Sequence, residues 1–390
     1  MQNVQVKPFV KLQVTPDGNL LKVTWPDRSS SRFHAIWLRD NGQDEKTRDP
    51  SNRQKLVRLQ ELPARTSIRS AVLDDNGRLD LVFSPDHRHT HIDLEWLWDH
   101  RYDQSRARAL VPDNMTTWDS GIFHRTPVLE YAEVNADPAR LLQWLEIIDR
   151  FGVAVMTGLP ERKAAILDAI ALFGFVRETN YGKYFEVRSE INPENLAYTA
   201  KGLQPHTDNP YRDPVPGLQF LGCIENSAQG GESVVVDGFR AAEILERESP
   251  DGFRLLARYD AQFEFRGTGD VHLKAAHPMI ECSGDGQLTC IRFNNRSCDA
   301  LTTVPFGKMA AYYTAYRRFG ELVESAELQG ILKLEPGDLL VTDNTRVLHG
   351  RTAYHGEGSR WLQGAYADKD SLKSRIRTLK QEADLGSSRN

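Results

Sequence analysis

Four polar side chains constrain this chain more than any other feature. His206-Thr207-Asp208 places an imidazole and a carboxylate two residues apart, Leu348-His349-Gly350 supplies a second imidazole far downstream, and Arg360 follows eleven residues later. In an extended strand, residues two apart point to the same side. His206 and Asp208 can therefore reach one metal ion from a single element. Two imidazoles and one carboxylate on one face of an octahedral Fe(II) leave three positions open. The fold must bring His349 to the same ion, and a strand on the opposite wall of a barrel is the expected source. Leu334-Glu335-Pro336-Gly337-Asp338 reads as a turn, with Leu339-Leu340-Val341 a buried strand after it. A guanidinium forks onto a carboxylate through two parallel hydrogen bonds, so Arg360 suits the far end of a metal-bound 2-oxo acid. His-x-Asp alone occurs often in surface loops. With a late His and an Arg after it, it reads as a metal centre with a co-substrate anchor.

The rest of the chain supplies the scaffold. Residues 1–105 read as short strands divided by turns, with Asp74-Asp75-Asn76-Gly77 a hairpin turn. They predict a small N-terminal β domain with Trp25, Trp37, Trp96 and Trp98 as core candidates. Residues 106–127, which include Pro112-Asp113-Asn114, read as a linker. Residues 128–390 form the larger domain. Its helix over 138–151 is capped by Asp137 and carries Leu141, Leu142, Leu145 and Ile148 at helical spacing. A strand over 152–156 and a helix over 162–173 follow. After Tyr181 the pattern turns to strands, which fits a double-stranded β-helix, or jelly roll. Leu372, Ile376 and Leu379 predict a final helix, at a dimer contact or over its own domain. The fold class is thus mainly β with flanking helices.

At 390 residues and a net charge of -5, the chain is large enough for two domains and has no bias toward nucleic acid or anionic membrane. The N-terminus lacks an apolar signal region, and no apolar run reaches the length of a membrane span. The expected location is cytoplasmic. Cys223, Cys282, Cys290 and Cys298 form no CxxC pair and read as reduced and structural.

Several segments carry a resemblance. They are Trp37-Leu38-Arg39-Asp40-Asn41, Asn195-Leu196-Ala197-Tyr198-Thr199, His206-Thr207-Asp208, Pro216-Gly217-Leu218-Gln219-Phe220-Leu221, Gly230-Gly231-Glu232-Ser233, Val236-Asp237-Gly238-Phe239 and Gly364-Ala365-Tyr366-Ala367-Asp368. In this order, over nearly the whole chain, they resemble the γ-butyrobetaine hydroxylase family of the taurine dioxygenase-like oxygenases. The resemblance implies Fe(II), 2-oxoglutarate and O2, with His206, Asp208 and His349 on the metal. It implies Arg360 and Ser233 on the far carboxylate of 2-oxoglutarate. Tyr181, Phe185, Tyr198 and Tyr366 match the family's trimethylammonium cage, where rings bind a cation that cannot donate hydrogen bonds. Phe185 stands at a position that is often Trp. Asn195 and either Asn294 or Asn295 match its carboxylate-binding amides.

The family also implies a homodimer. Many relatives carry a structural zinc after the Trp-Leu-Arg-Asp-Asn segment; here Gly42-Gln43-Asp44-Glu45-Lys46-Thr47 contains no cysteine, and no structural zinc is expected. Arg296 adds positive charge beside the amides. Facing the pocket, it would favour a phosphonate, so (2-trimethylammonioethyl)phosphonate stands level with γ-butyrobetaine as substrate. Arg296 and Lys183 read equally well as solvated surface charges. Trimethyllysine hydroxylation is the first alternative and calls for an acidic partner such as Glu178, Glu186 or Glu190. A non-catalytic quaternary-ammonium sensor on the same fold is the second.

Overall fold

Alternating apolar strands and amphipathic helices build two separate units, residues 1–107 and 108–390. The structure is a computed structural model, and it describes residues 10–74, 77–103, 109–188, 202–267, 269–355 and 358–387.

The first unit contains two antiparallel meanders. Lys11–Val14, Leu20–Thr24 and Ser30–His34 form one, and Ser67–Leu73, Arg78–Ser84 and His89–Asp93 form the other. Each is followed by a short helix, Ala35–Asp40 or Leu94–Asp99. Leu21, Val23, Phe33, Leu79, Leu81 and Phe83 alternate inward and are buried. Trp25 is buried with them, and Trp37, Trp96 and Trp98 pack against this core from its edge. The loop at 42–47 is pinned by Asp44. Its carboxylate accepts from Thr47 Oγ1 (2.7 Å), Thr90 Oγ1 (2.5 Å), the Lys46 amide (3.1 Å) and the Arg88 guanidinium (2.6 Å).

The second unit is a jelly roll with helices on its outside. One sheet has six strands in the order Leu129–Glu130, Val153–Thr157, Leu339–Asp343, Leu218–Asn226, Arg360–Ala367, Phe185–Val187. The other has four, in the order Leu203–His206, Val347–Arg351, Ser233–Asp237, Gln329–Leu332. Period-two alternation divides the six-stranded sheet. Leu218, Phe220, Leu339, Val341, Ala365 and Ala367 face an outer layer of helices. Gln219, Leu221, Leu362 and Tyr366 face a cavity on the other side. The outer layer includes Pro138–Phe151, whose Asp137 cap accepts from the Ala139 amide (2.8 Å) and which stops at Gly152 with φ of 70°. It also includes Lys369–Ser387, whose Leu372, Ile376 and Leu379 are buried in this unit's own core.

Two expectations need correction. The stretch after Tyr181 is not only strand: Gly238–Glu248, Pro250–Arg258 and Met309–Val323 are helices that bury Leu245, Leu256, Tyr312 and Phe319. The segment read as a linker belongs from residue 108 to the second unit, where Trp118 and Ile122 are buried.

Candidate metal centre and its cavity

His206 ends one strand of the four-stranded sheet and His349 lies on the next, the two being direct antiparallel register partners. His349 therefore comes from the neighbouring strand and not from the opposite wall. Their ring centroids are 4.6 Å apart. Asp208 lies beyond the end of its strand, so strand alternation does not aim it. Asn344 does: its amide accepts from the Asp208 N–H (2.6 Å) and donates to the Asp208 carbonyl (3.0 Å). The chain then turns at Asn209, which has φ of 53° and takes a hydrogen bond from Tyr211 Oη (2.6 Å).

One oxygen of Asp208, Oδ1, lies 3.2 Å from His206 Nε2 and 3.6 Å from His349 Nε2. The ligand atoms of all three residues fall within 4.8 Å of one another, the one such convergence of three among the described residues. His206 Nδ1 is 2.8 Å from the Gln204 carbonyl, which can only accept, so its Nε2 presents a lone pair to the centre. Burial, then His349 and Arg296, pulls the His206 imidazole down to about 4. Burial opposes ionisation of Asp208, but His349 and His206 hold it well below the usual carboxylate range. A neutral imidazole and an ionised carboxylate are the forms a metal requires. Three lone-pair atoms aimed at one point fit a cation, and this donor set suits Fe(II).

The centre opens into a cavity of about 460 Å³ whose lining includes Ser233, Arg351 and Arg360 and the rings of Tyr181, Phe185, Tyr211, Phe265 and Tyr366. Arg360 Nε donates to the Gly231 carbonyl (3.0 Å), which fixes its stem while the residue stays buried. Tyr181 and Phe185 lie 6.0 Å apart, and Phe185 and Tyr366 5.3 Å apart. Tyr211 and Phe265 extend the same wall, stacked at 5.0 Å. Sequence reasoning missed both, although Tyr211 follows the metal motif closely. Tyr184, close by in sequence, packs against the core between the six-stranded sheet and its outer helices. Burial, then Asp208, raises the Tyr366 phenol far above its ordinary value, so it stays a donor.

Asn294 lines the cavity, but its amide donates to the Thr207 carbonyl (3.1 Å) and so also braces the metal loop. Asn295 is exposed away from the cavity and accepts from Tyr316 Oη (2.5 Å). Arg296 lines the cavity while remaining open to solvent, whereas Lys183 is exposed elsewhere. Asn195 and Tyr198 lie outside the described residues.

Gly364 pairs with Phe185 across adjacent strands. A Cβ at Gly364 would overlap the Phe185 ring. Gly364→Ala is therefore expected to displace that ring and, if Phe185 belongs to the trimethylammonium cage that the resemblance implies, to weaken tetramethylammonium binding about tenfold by the loss of one desolvated cation–π contact. Calorimetric titration checks this, and unchanged affinity would remove Phe185 from the cation site.

The family model for the taurine catabolism dioxygenase TauD, TfdA family matches residues 121–366, and that for the gamma-butyrobetaine hydroxylase-like N-terminal domain matches residues 12–98. Gamma-butyrobetaine dioxygenase of Pseudomonas sp. (strain AK-1) is 34% identical, with 93% of this chain and 94% of that protein covered. Gamma-butyrobetaine dioxygenase of Homo sapiens is 30% identical, with 96% and 98% covered. Mitochondrial trimethyllysine dioxygenase of Gallus gallus is 29% identical, with 94% and 87% covered. Among the described residues, no helix is long and apolar enough to cross a membrane.

Proposed function

The chain belongs to the gamma-butyrobetaine hydroxylase-like group of TauD, TfdA family dioxygenases, and we propose that it hydroxylates an unactivated C–H of a small trimethylammonium-bearing anion, γ-butyrobetaine or (2-trimethylammonioethyl)phosphonate. Fe(II) is the cofactor, and 2-oxoglutarate and O2 are co-substrates. The observation that carries this reading is the convergence of His206, Asp208 and His349 in a cavity that also holds Arg360 and a wall of aromatic rings.

When bound, the iron would activate O2 as the oxidant, one oxygen atom converting C–H to C–OH and the other entering succinate as 2-oxoglutarate is oxidised and loses carbon dioxide. The chain's own residues decide which bond is presented. His206, Asp208 and His349 would hold the iron. Arg360, with the Ser233 hydroxyl, grips the far carboxylate of the co-substrate. Tyr181, Phe185 and Tyr366, with Tyr211 and Phe265, surround the cation. Asn294 and Arg296 offer donors to the anionic end. Holding a short substrate at both ends fixes its middle against the metal.

Trimethyllysine fits less well. It needs an acid for its α-amino group, and among the described residues the acids lining the cavity are Asp208 and Glu264. Glu264 is already engaged by Arg266 (2.6 Å), His272 (2.7 Å) and Lys274 (3.1 Å). Glu186 accepts from Trp361 and Gln363 outside the cavity, and Glu190 lies outside the described residues.

Succinate release and product NMR with the two substrates side by side test the assignment. Arg296→Gln separates them. Loss of a charge-assisted hydrogen bond, about 1.5–3 kcal/mol, is expected to raise KM for the phosphonate about tenfold or more. KM for γ-butyrobetaine should move far less. Equal effects on both would deny Arg296 a role in anion choice. A cytoplasmic homodimer that binds neither nucleic acid nor membrane completes the reading, and sedimentation of the purified protein checks the dimer.

A further inference from the structure

The two oxygens of Asp208 have different surroundings. Oδ1 faces the two imidazoles. Oδ2 accepts from the Tyr366 hydroxyl (2.7 Å) and from the Gln219 amide. Both donors come from the six-stranded sheet, where Gln219 and Tyr366 are direct cross-strand partners. Gln219 is 3% exposed. Its carbonyl oxygen accepts from Thr342 Oγ1 (3.4 Å) on its other neighbouring strand, which leaves its NH2 aimed at the centre. That NH2 also lies 2.9 Å from His349 Nε2. His349 Nδ1 is buried with no hydrogen-bond partner among the described residues.

We propose that Gln219 and Tyr366 are positioning residues that hold Asp208 as a one-oxygen metal ligand, and that Tyr366 couples the cation site to the metal centre. The coupling rests on the cage reading above. Two hydrogen bonds on Oδ2 disfavour a second contact from the same carboxylate, so the open face of the metal stays open. Tyr366 also forms part of the aromatic wall, beside Phe185. A cation over its ring draws electron density toward the ring face. The hydroxyl then becomes a stronger donor to Oδ2. The metal ligand thereby senses whether the cation site is filled. Linkage requires the converse, a change in cation affinity by the same factor when the metal binds.

Co(II), whose visible spectrum reports its ligand field, and tetramethylammonium are the probes, used with the whole chain. Tyr366→Phe keeps the ring and removes the donor. Its Co(II) affinity should fall about tenfold, as for loss of an outer-shell partner, with an altered spectrum. Tetramethylammonium should shift the Co(II) spectrum of the unsubstituted protein and leave that of Tyr366→Phe unmoved. Gln219→Met, close in volume, should lose Co(II) affinity to a similar degree but keep the tetramethylammonium response. Unchanged Co(II) affinity and spectrum in Tyr366→Phe would overturn the positioning role, whether or not Gln219→Met folds. A tetramethylammonium shift that survives in Tyr366→Phe would overturn the coupling. If the unsubstituted protein binds Co(II) but no tetramethylammonium, the cage reading and the coupling fall together, and the Co(II) affinities still judge the positioning role.

Discussion

His206→Ala is expected to reduce 2-oxoglutarate-dependent succinate release to background while leaving a folded protein. The imidazole is buried and faces the cavity, and its ring hydrogen bond ends on the Gln204 carbonyl of its own strand. Its long-range ring neighbour is His349, the fellow ligand, so the loss is confined to the metal centre. It takes away one of three ligands, and the two that remain cannot define one face of an octahedral ion. Equilibrium dialysis against Fe(II) should show the bound metal lost, and far-UV circular dichroism should be unchanged. Iron affinity equal to that of the unsubstituted protein would place the metal elsewhere and remove the basis for the oxygenase chemistry. His349→Ala serves as the companion, because it tests the same point from the adjacent strand.

What the sequence made legible was local. The helix Pro138–Phe151 is announced by Asp137, Pro138 and Gly152, all within a turn of its ends. The hairpin between Ser67–Leu73 and Arg78–Ser84 is announced by its turn residues. Two of the helices missed after Tyr181 had comparable signals. Asp237 caps Gly238–Glu248 and Ser249 caps Pro250–Arg258, but strand-like runs on either side drew the reading toward β. The metal ligands were legible as residue types because few side chains suit that ion. Their strand pairing was not, since register between distant segments depends on which faces are buried. Gln219 illustrates the same limit. A polar residue between Leu218 and Phe220 marks the inward side of its strand, yet only the fold shows that Asp208 and His349 wait there. Arg346 gave no signal at all, for a charged residue before an apolar strand reads as surface.

Arg346 is in fact fully buried against Asp237, and its replacement should produce the largest loss of stability. The guanidinium donates to Asp237 Oδ1 (3.1 Å) and Oδ2 (2.8 Å), to the Arg150 carbonyl (3.0 Å) and to the Thr116 carbonyl (2.7 Å). Asp237 also accepts from the amides of Trp118 (3.2 Å) and Phe239 (3.0 Å). The pair joins the strand that carries Ser233 to the one that carries His349. Arg346→Met keeps most of the volume but removes the charged donor from the Asp237 carboxylate and from the Arg150 and Thr116 carbonyls. Removing one partner of a buried pair costs about 3–5 kcal/mol, because the other charge remains desolvated. Asp237→Asn combined with Arg346→Met removes both charges and should recover part of that loss, since the two sites are coupled. Denaturant titrations of the two single variants and the double variant measure the cycle. If Arg346→Met lies within about 1 kcal/mol of the unsubstituted protein, the span of an exposed ion pair, the pair does not hold the two strands together. In that case the placement of His349 must depend on the sheet register alone.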